Sequence, residues 1–182
     1  MVAEKRTFIN QLKYQELKSY FETNSKERKD FNQIIYKYKS DVDFRFVFDH
    51  ELAFLRLRGG FYTKEDLIVP VALKDIKTMK LMLKNLGMHI DIKWFRHRAI
   101  YQYQNYTVTL DETYHYGYVV SIAKEISSIE EQRGAYQELE RLFQQLQIPI
   151  TTQEQFNDRY KFYKISWVDV ANKINEDQFL QN

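Results

Sequence analysis

The chain has 182 residues, of which 44% are hydrophobic and 16% aromatic, so it can bury one sizeable core, and we expect a single domain over residues 1–182. Its 27 Lys and Arg residues nearly balance its 25 Asp and Glu residues, and a net charge of +2 gives no strong sign of a duplex nucleic-acid binder. Cysteine is absent, which excludes disulfides and thiolate nucleophiles, and no apolar segment is long enough to span a bilayer, so we expect a soluble cytoplasmic protein without membrane contact.

Eight segments rich in Val, Ile, Phe and Tyr predict β-strands, because most of them alternate as half-buried strands do. In chain order they are VAEKRTFI (2–9), NQIIYKYK (32–39), VDFRFVF (42–48), LAFLRLR (52–58), LIVPV (67–71), HIDIKWFRHRAIYQY (89–103), YTVTLD (106–111) and YGYVVSIAK (116–124). Short connections, such as a turn at Asn105 and a Gly-Gly turn in RGGF (58–61), imply antiparallel pairing.

Apolar residues at helical spacing predict three helices, at 13–24, 73–87 and 127–147. The second helix ends at Gly87 as a C-cap, and the third opens with Ser128 and Glu131 as a capping box. A fourth, short helix is predicted to begin at Thr151 or Thr152. We therefore expect an α+β fold, an eight-stranded antiparallel β-barrel or strongly curved sheet with helices packed outside.

Paired arginines distinguish the predicted strands. Side chains two residues apart on a strand project from the same face, which groups the arginines of RLR and those of RHR. An unpaired buried charge is costly, so these faces are solvated, or the arginines pair with acids such as Asp43, or they surround an anion. The arginines on predicted strands that would surround such an anion are Arg6, Arg45, Arg56, Arg58, Arg96 and Arg98.

The order of these motifs resembles the CYTH superfamily, also called triphosphate tunnel metalloenzymes. An opening strand, VAEKR, precedes the basic pair RLR, and the likeness is densest over residues 86–126, which contain IKWFRHRAIYQYQNYTVTLDETYHYGY. The tail ITTQEQFNDRYKFY continues the resemblance over nearly the whole chain. The resemblance implies an eight-stranded tunnel whose wall carries basic residues for a triphosphate and carboxylates for one or two divalent metals. Known members are class IV adenylate cyclases and thiamine, inorganic and RNA triphosphatases.

The resemblance implies that the six strand arginines bind phosphate, since Arg6, the pair Arg56 and Arg58, and the pair Arg96 and Arg98 match the family's basic positions. Carried over in the same way, the family's carboxylates survive at Glu4 and Asp111. Val2 stands in place of the first glutamate of the opening motif, and Ser121 and Ala123 replace the glutamates of a strand motif E-x-E. IVPV (68–71) likewise stands where related bacterial members carry a Glu-rich strand. Magnesium and manganese need hard oxygen ligands, so the chain resembles a divergent member with a degenerate metal site. Two carboxylates can still hold a hydrated Mg²⁺ weakly.

Two functional classes follow. The first is a pseudoenzyme that binds a nucleotide, cyclic nucleotide or polyphosphate in an Arg-lined tunnel, without turnover and with no required cofactor. The alternative is an active metal-dependent triphosphatase or class IV adenylate cyclase-like enzyme that uses Mg²⁺ or Mn²⁺. A third reading gives the outer surface to a protein partner. Strand edges make a homodimer possible.

Four strand tyrosines are candidates for stacking on a nucleotide base, although aromatic residues on strands more often pack in the core. They are Tyr101, Tyr103, Tyr116 and Tyr118.

Overall fold

The computed structural model describes residues 1–59 and 66–181. The strands are β1 (Val2–Ile9), β2 (Glu27–Tyr38), β3 (Asp43–Phe48), β4 (Ala53–Arg58), β5 (Leu67–Val71), β6 (Ile90–Tyr103), β7 (Tyr106–Thr113) and β8 (Gly117–Glu125). All eight predicted strands are confirmed, although β2 begins at Glu27 rather than at Asn32. The predicted Gly-Gly turn lies partly outside the described residues.

The strands form one antiparallel sheet in the order β1-β8-β7-β6-β2-β3-β4-β5. With the helices, this confirms the α+β class. In the part of the chain that the structure describes, no pairing joins the outer strands β1 and β5. The expected closure into a barrel is therefore not confirmed.

The helices are α1 (Gln11–Asn24), α2 (Ile76–Asn85), α3 (Gln132–Gln145), α4 (Gln153–Ala171) and α5 (Glu176–Gln181), with a 3₁₀ turn at Leu73–Asp75 before α2. The C-cap at Gly87 is confirmed, since φ there is +75°. Its N–H donates to the carbonyl of Lys84, and the N–H of Met88 donates to that of Leu83, each at 3.0 Å. This pair of bonds is a Schellman motif, which satisfies the last carbonyls of α2.

The predicted capping box of α3 is wrong. The helix begins at Gln132, and the carboxylate of Glu131 accepts a hydrogen bond from the N–H of Ser127 at 2.9 Å, so it orders the loop before the helix. The predicted start of α4 is confirmed. The Thr152 N–H donates to Gln155 Oε1 at 2.9 Å, and the Gln155 N–H donates to Thr152 Oγ1 at 3.3 Å. With 19 residues, however, α4 is not short, and α5 was not predicted.

The described chain divides into two compact units. Unit 1 comprises Met1–Asp30 and His97–Lys161, and unit 2 comprises Phe31–Arg96 and Phe162–Asn182. The prediction of a single domain remains a prediction. No helix in the described ranges is long and apolar enough to cross a membrane.

Each unit packs one sheet face against helices. In unit 1 the core includes Ala3 of β1 and Val120 and Ile122 of β8, together with Leu139 and Phe143 of α3. In unit 2 it includes side chains of β2, β3, β4 and β6 with those of α2, α4 and α5; these are Ile34, Phe46, Ala53, Phe95, Leu83, Val170 and Phe179. Side chains at alternate positions on these strands project from the opposite face of each unit.

Candidate anion-binding faces

The face of unit 1 opposite its core carries Glu4 and Arg6. Both are exposed, whereas Ala3 is completely buried. The register of β1 and β8 places Arg6 opposite Ser121 and Glu4 opposite Ala123. The Ser121 hydroxyl donates a hydrogen bond to Glu4 Oε1. The two positions that lack the E-x-E glutamates therefore lie beside the acid and the arginine of the opening motif, and we call this surface the arginine face of unit 1.

Arg98 and Asp111 form a bidentate ion pair in unit 1. Arg98 Nε lies 2.7 Å from Asp111 Oδ1, and Arg98 Nη2 lies 2.7 Å from Oδ2. The Asp111 side chain is only 11% exposed. Burial lowers the pKa of the Arg98 guanidinium, but the Asp111 carboxylate, with a smaller effect from Glu4, raises this pKa, and the net shift is upward. Both carboxylate oxygens are therefore engaged.

These residues do not fit a divalent metal site. Of the two carboxylates carried over from the family, Asp111 has both oxygens bonded to Arg98, and Glu4 accepts from Ser121. Mg²⁺ and Mn²⁺ require several oxygen ligands in octahedral geometry. Within the described ranges, no group of three or more His, Asp or Glu side chains is arranged to hold a metal ion.

A row of three cations crosses unit 2 on the face opposite its core. The register places Lys37 of β2 opposite Arg45 of β3, and Arg45 opposite Arg56 of β4. Like charges in directly opposed positions destabilise a sheet unless anions compensate them. We call this surface the arginine face of unit 2. Lys37 was missed by the sequence analysis, because only the strand register shows that it belongs to the row.

Two acids pair with the arginines on this face. Asp43 accepts hydrogen bonds from Arg45 Nε and Nη2 at 2.7 and 2.8 Å. Asp66 accepts from Arg56 Nε at 2.8 and 2.9 Å and from Arg58 Nε at 3.2 Å. The hydrogen bonds from Arg56 hold the pKa of Asp66 below its ordinary value, with a smaller effect from Arg58. Because the Asp66 side chain is 37% exposed, solvent weakens these pairs.

Arg96 and Arg45 also contact uncharged side chains of unit 2. Arg96 Nε donates to Gln33 Oε1 at 3.1 Å, and the buried Gln33 amide donates to Asp49 at 3.3 Å. The guanidinium of Arg45 lies 5.6 Å from the ring centroid of Trp94.

The six predicted arginines are divided between the units, with Arg6 and Arg98 in unit 1 and the other four in unit 2. That they line one interior stays a prediction.

Each tyrosine proposed for base stacking packs on an aromatic ring of unit 1. Tyr101 has no accessible surface, and burial raises its pKa to about 12, so we do not include it in the proposed site. The other three are partly accessible, and base stacking on them stays a prediction. The ring contacts are Phe21 with Tyr101 and Tyr103, Phe8 with Tyr116, and Tyr14 with Tyr118.

Comparison with known proteins shows what the fold resembles. No family model and no curated protein matches the sequence. Among solved structures, the PH1819 protein of Pyrococcus horikoshii has a TM-score of 0.64 at 20% identity, over 82% of this chain and 92% of its own. A proposed adenylate cyclase from Vibrio parahaemolyticus has a TM-score of 0.61 at 12% identity, over 86% of this chain and 97% of its own.

A third solved structure comes from Hippeastrum. It is a proposed adenylyl cyclase described as having a dominant triphosphatase activity, and it matches with a TM-score of 0.52 at 15% identity, over 81% of this chain and 88% of its own. These likenesses concern the fold. They show that the chain shares the fold of these proposed adenylate cyclases, and this agrees with the fold that its motifs resemble.

Proposed function

We propose that the protein binds a phosphorylated ligand, namely a nucleotide, cyclic nucleotide or polyphosphate, through its arginine faces and does not turn it over. One observation carries the proposal. Arg6 keeps its place on the arginine face of unit 1, whereas the positions opposite Arg6 and Glu4 hold Ser121 and Ala123 instead of acids. Losing anions while retaining cations makes the face more favourable for phosphate without a metal.

The arginine face of unit 2 supports the same ligand class. Arg45 and Arg56 lie directly opposite each other, and a phosphate that contacted both would offset the repulsion between them. Guanidinium groups donate two parallel hydrogen bonds to phosphate oxygens. Asp43 and Asp66 are partly exposed, so a phosphate can exchange with them at low cost.

Binding without turnover follows from the carboxylates. Enzymatic phosphoryl transfer depends on neutralising the charge that develops on the phosphoryl oxygens, a task that bound metal ions commonly perform. Here Asp111 is held by Arg98, and the remaining acid of the opening motif, Glu4, is a single ligand. The arginines can hold a phosphate, but these acids do not supply the ligand set of a divalent ion.

A thermal-shift screen with calorimetric titration tests the proposal. ATP, cyclic AMP and tripolyphosphate are each added in EDTA and then with Mg²⁺ or Mn²⁺, and phosphate or pyrophosphate release is followed in parallel. A ligand at about 100 times its dissociation constant should stabilise the fold by about 2.7 kcal/mol. We expect shifts in EDTA and no release above the blank. Absence of a shift with every ligand would refute binding.

The alternative is an active metal-dependent triphosphatase or class IV adenylate cyclase-like enzyme. It is favoured by the fold shared with the Vibrio parahaemolyticus and Hippeastrum proteins. Metal-dependent release of phosphate or pyrophosphate by the unmodified chain would establish this alternative and overturn the pseudoenzyme.

Location and assembly are separate proposals. We propose a cytoplasmic protein, and a homodimer formed through a strand edge. Support for the dimer comes from β5, an outer strand of the sheet on which Leu67, Ile68 and Val69 are 44%, 55% and 57% exposed. Sedimentation of the purified chain tests this assembly, because a monomer at all concentrations would exclude it.

A further inference from the structure

Two arginines of unit 1 contact aromatic rings instead of carboxylates. The guanidinium of Arg6 lies 5.3 Å from the ring centroid of Phe156, and that of Arg159 lies 4.6 Å from the ring centroid of Phe8. The two rings pack on each other with centroids 4.8 Å apart. Among the described residues, no carboxylate lies within ion-pair distance of either arginine. Arg159 lies on α4, so a helix brings a second cation to the arginine face of unit 1.

The position of α4 beside β1 is fixed by a hydrogen-bonded threonine pair. Thr7 Oγ1 and Thr151 Oγ1 are 2.7 Å apart, and the Thr151 N–H donates to Thr7 Oγ1 at 2.8 Å. The N–H of Phe8 donates to Thr151 Oγ1 at 2.9 Å. These bonds hold the chain just before α4 against the strand that carries Arg6. They therefore place the start of α4, and with it the exposed Arg159, beside this strand.

Gly117 provides the space for the Arg159 side chain. A Cβ at this position would lie 3.1 Å from Arg159 Nη1, and φ is +114°, which side chains rarely adopt. Arg159 also lines two cavities of unit 1. One of about 470 Å³ includes Asn10 and Thr151, and the other, of about 350 Å³, includes His115 and the turn before β8.

Two carboxylates also border these cavities. Asp158 lines the larger one and lies 3.7 Å from Lys161, and Glu112 lines the smaller one and accepts a hydrogen bond from Tyr118 at 3.3 Å. Each acid thus already has a partner that is not Arg159. Neither acid neutralises the Arg159 guanidinium at ion-pair distance.

We propose that Arg159 is a phosphate-binding residue of α4 that acts together with Arg6. A guanidinium that lies over a ring keeps its N–H edge for an anion, and weak hydration makes arginine suited to this role. Arg45, Arg56, Arg58 and Arg98 must release a carboxylate before they bind phosphate, whereas Arg6 and Arg159 need release none. The ligand chemistry is a phosphate group, and the inference rests on the proposed function.

Calorimetric titration in EDTA tests the inference, with tripolyphosphate and ATP as probes. Arg159→Met keeps the aliphatic stem over Phe8 and removes the charge. We expect affinity to fall about ten- to a hundredfold, the scale of one charged hydrogen bond. Arg133→Met is the matched control, because Arg133 is exposed on α3 and its loss changes the net charge equally. It should change affinity less than about twofold, as expected for a screened charge.

Arg6→Met and the double variant show whether the two arginines act as a pair. If they bind the same phosphate, the loss of affinity in the double variant is smaller than the sum of the two single losses. Thermal unfolding without ligand checks that each variant folds. If Arg159→Met does not fold, Arg159→Gln replaces it in the titration.

The outcomes separate the two hypotheses. Binding by the wild type, with Arg159→Met unchanged or no weaker than Arg133→Met, overturns the role of Arg159 and leaves the proposed function standing. No binding of either probe by the wild type overturns both. A selective loss in Arg159→Met, with the unfolding temperature preserved, supports the inference.

Discussion

The two units use arginine–aspartate pairs in different surroundings. In unit 1 the Asp111 side chain is 11% exposed and both of its oxygens bond to Arg98. In unit 2 the Asp66 side chain is 37% exposed and serves both Arg56 and Arg58. Breaking a buried ion pair leaves one charge unpaired and shielded from water, whereas an exposed pair contributes little to stability and exchanges with solvent ions. We therefore expect the first pair to contribute more to stability and the second to exchange more readily with a ligand.

The largest effect should come from breaking the buried pair. Arg98→Ala leaves the Asp111 carboxylate without its bidentate partner, and removing one member of a buried ion pair typically costs about 3–5 kcal/mol. Urea denaturation measures the free energy of unfolding. Arg58→Ala is the control, because its exposed pair should contribute less than about 1 kcal/mol. Equal losses in the two variants would remove the distinction between the units.

For ligand binding we expect the partly exposed arginines of unit 2 to matter more than the buried pair of unit 1. Arg56→Ala removes a guanidinium from the cation row of unit 2, and we expect a phosphorylated ligand to bind more weakly by about 1.5–3 kcal/mol, the scale of a charged hydrogen bond. The free energy of unfolding should change by less than about 1 kcal/mol. Titration with tripolyphosphate in EDTA measures the affinity. Unchanged affinity would place the ligand away from this row.

Restoring acids to unit 1 should make the two faces differ further. Val2→Glu, Ser121→Glu and Ala123→Glu together place three carboxylates beside Glu4 and Arg6, since the register puts Ser121 and Ala123 on their face. Metal-free binding of tripolyphosphate should weaken by about tenfold, or ~1.4 kcal/mol, through repulsion. Calorimetry with Mn²⁺ should show a higher metal affinity in this variant than in the wild type.

Matched glutamine substitutions at the same three positions control for size. If the glutamate variant bound no Mn²⁺ while remaining folded, these positions would not be the lost metal site. If both variants unfolded, residues 121 and 123 would be packing positions.

Much of the sheet could be predicted from the sequence because alternation records which side of a strand meets the core. In β8, Val120 and Ile122 are buried, whereas Ser121 is on the opposite face. The two-residue alternation does not show which residues of neighbouring strands lie opposite each other, and for this reason Lys37 was missed. The helical start at Thr152 was readable from its cap, but α4 continues past exposed Phe162 and Ile165, where no apolar periodicity marks its length.

The candidate site was only partly readable for the same physical reason. Motif order pointed to Arg6, but its neighbour Arg159 lies more than 150 residues away in the chain and reaches the same rings through the packing of α4 on β1. No local pattern around NDRY shows that the Arg159 guanidinium lies over an aromatic ring. Tertiary contacts decide this, and they are not encoded in the spacing of nearby residues.

The smallest expected effect concerns the exposed acid of unit 2. The hydrogen bonds from Arg56 lower the pKa of Asp66, so its carboxylate remains ionised and competes with a ligand at neutral pH. Asp66→Asn removes this competition, and tripolyphosphate should bind about two- to fivefold more tightly in EDTA, a change below ~1 kcal/mol. Because the folded pKa is depressed, the stabilisation by the Asp66 pair is present above the unfolded pKa and is lost as the pH falls through the folded pKa.

Over that lower pH range the ligand affinity of the wild type should approach that of Asp66→Asn. The ratio of the two affinities at each pH cancels the effect of protonation of the ligand itself. Asp43→Asn should behave in the same way at Arg45. Weaker binding by Asp66→Asn at neutral pH would mean that Asp66 positions Arg56 and Arg58 for the ligand, and the exposed pair of unit 2 would then be as structural as the buried pair of unit 1.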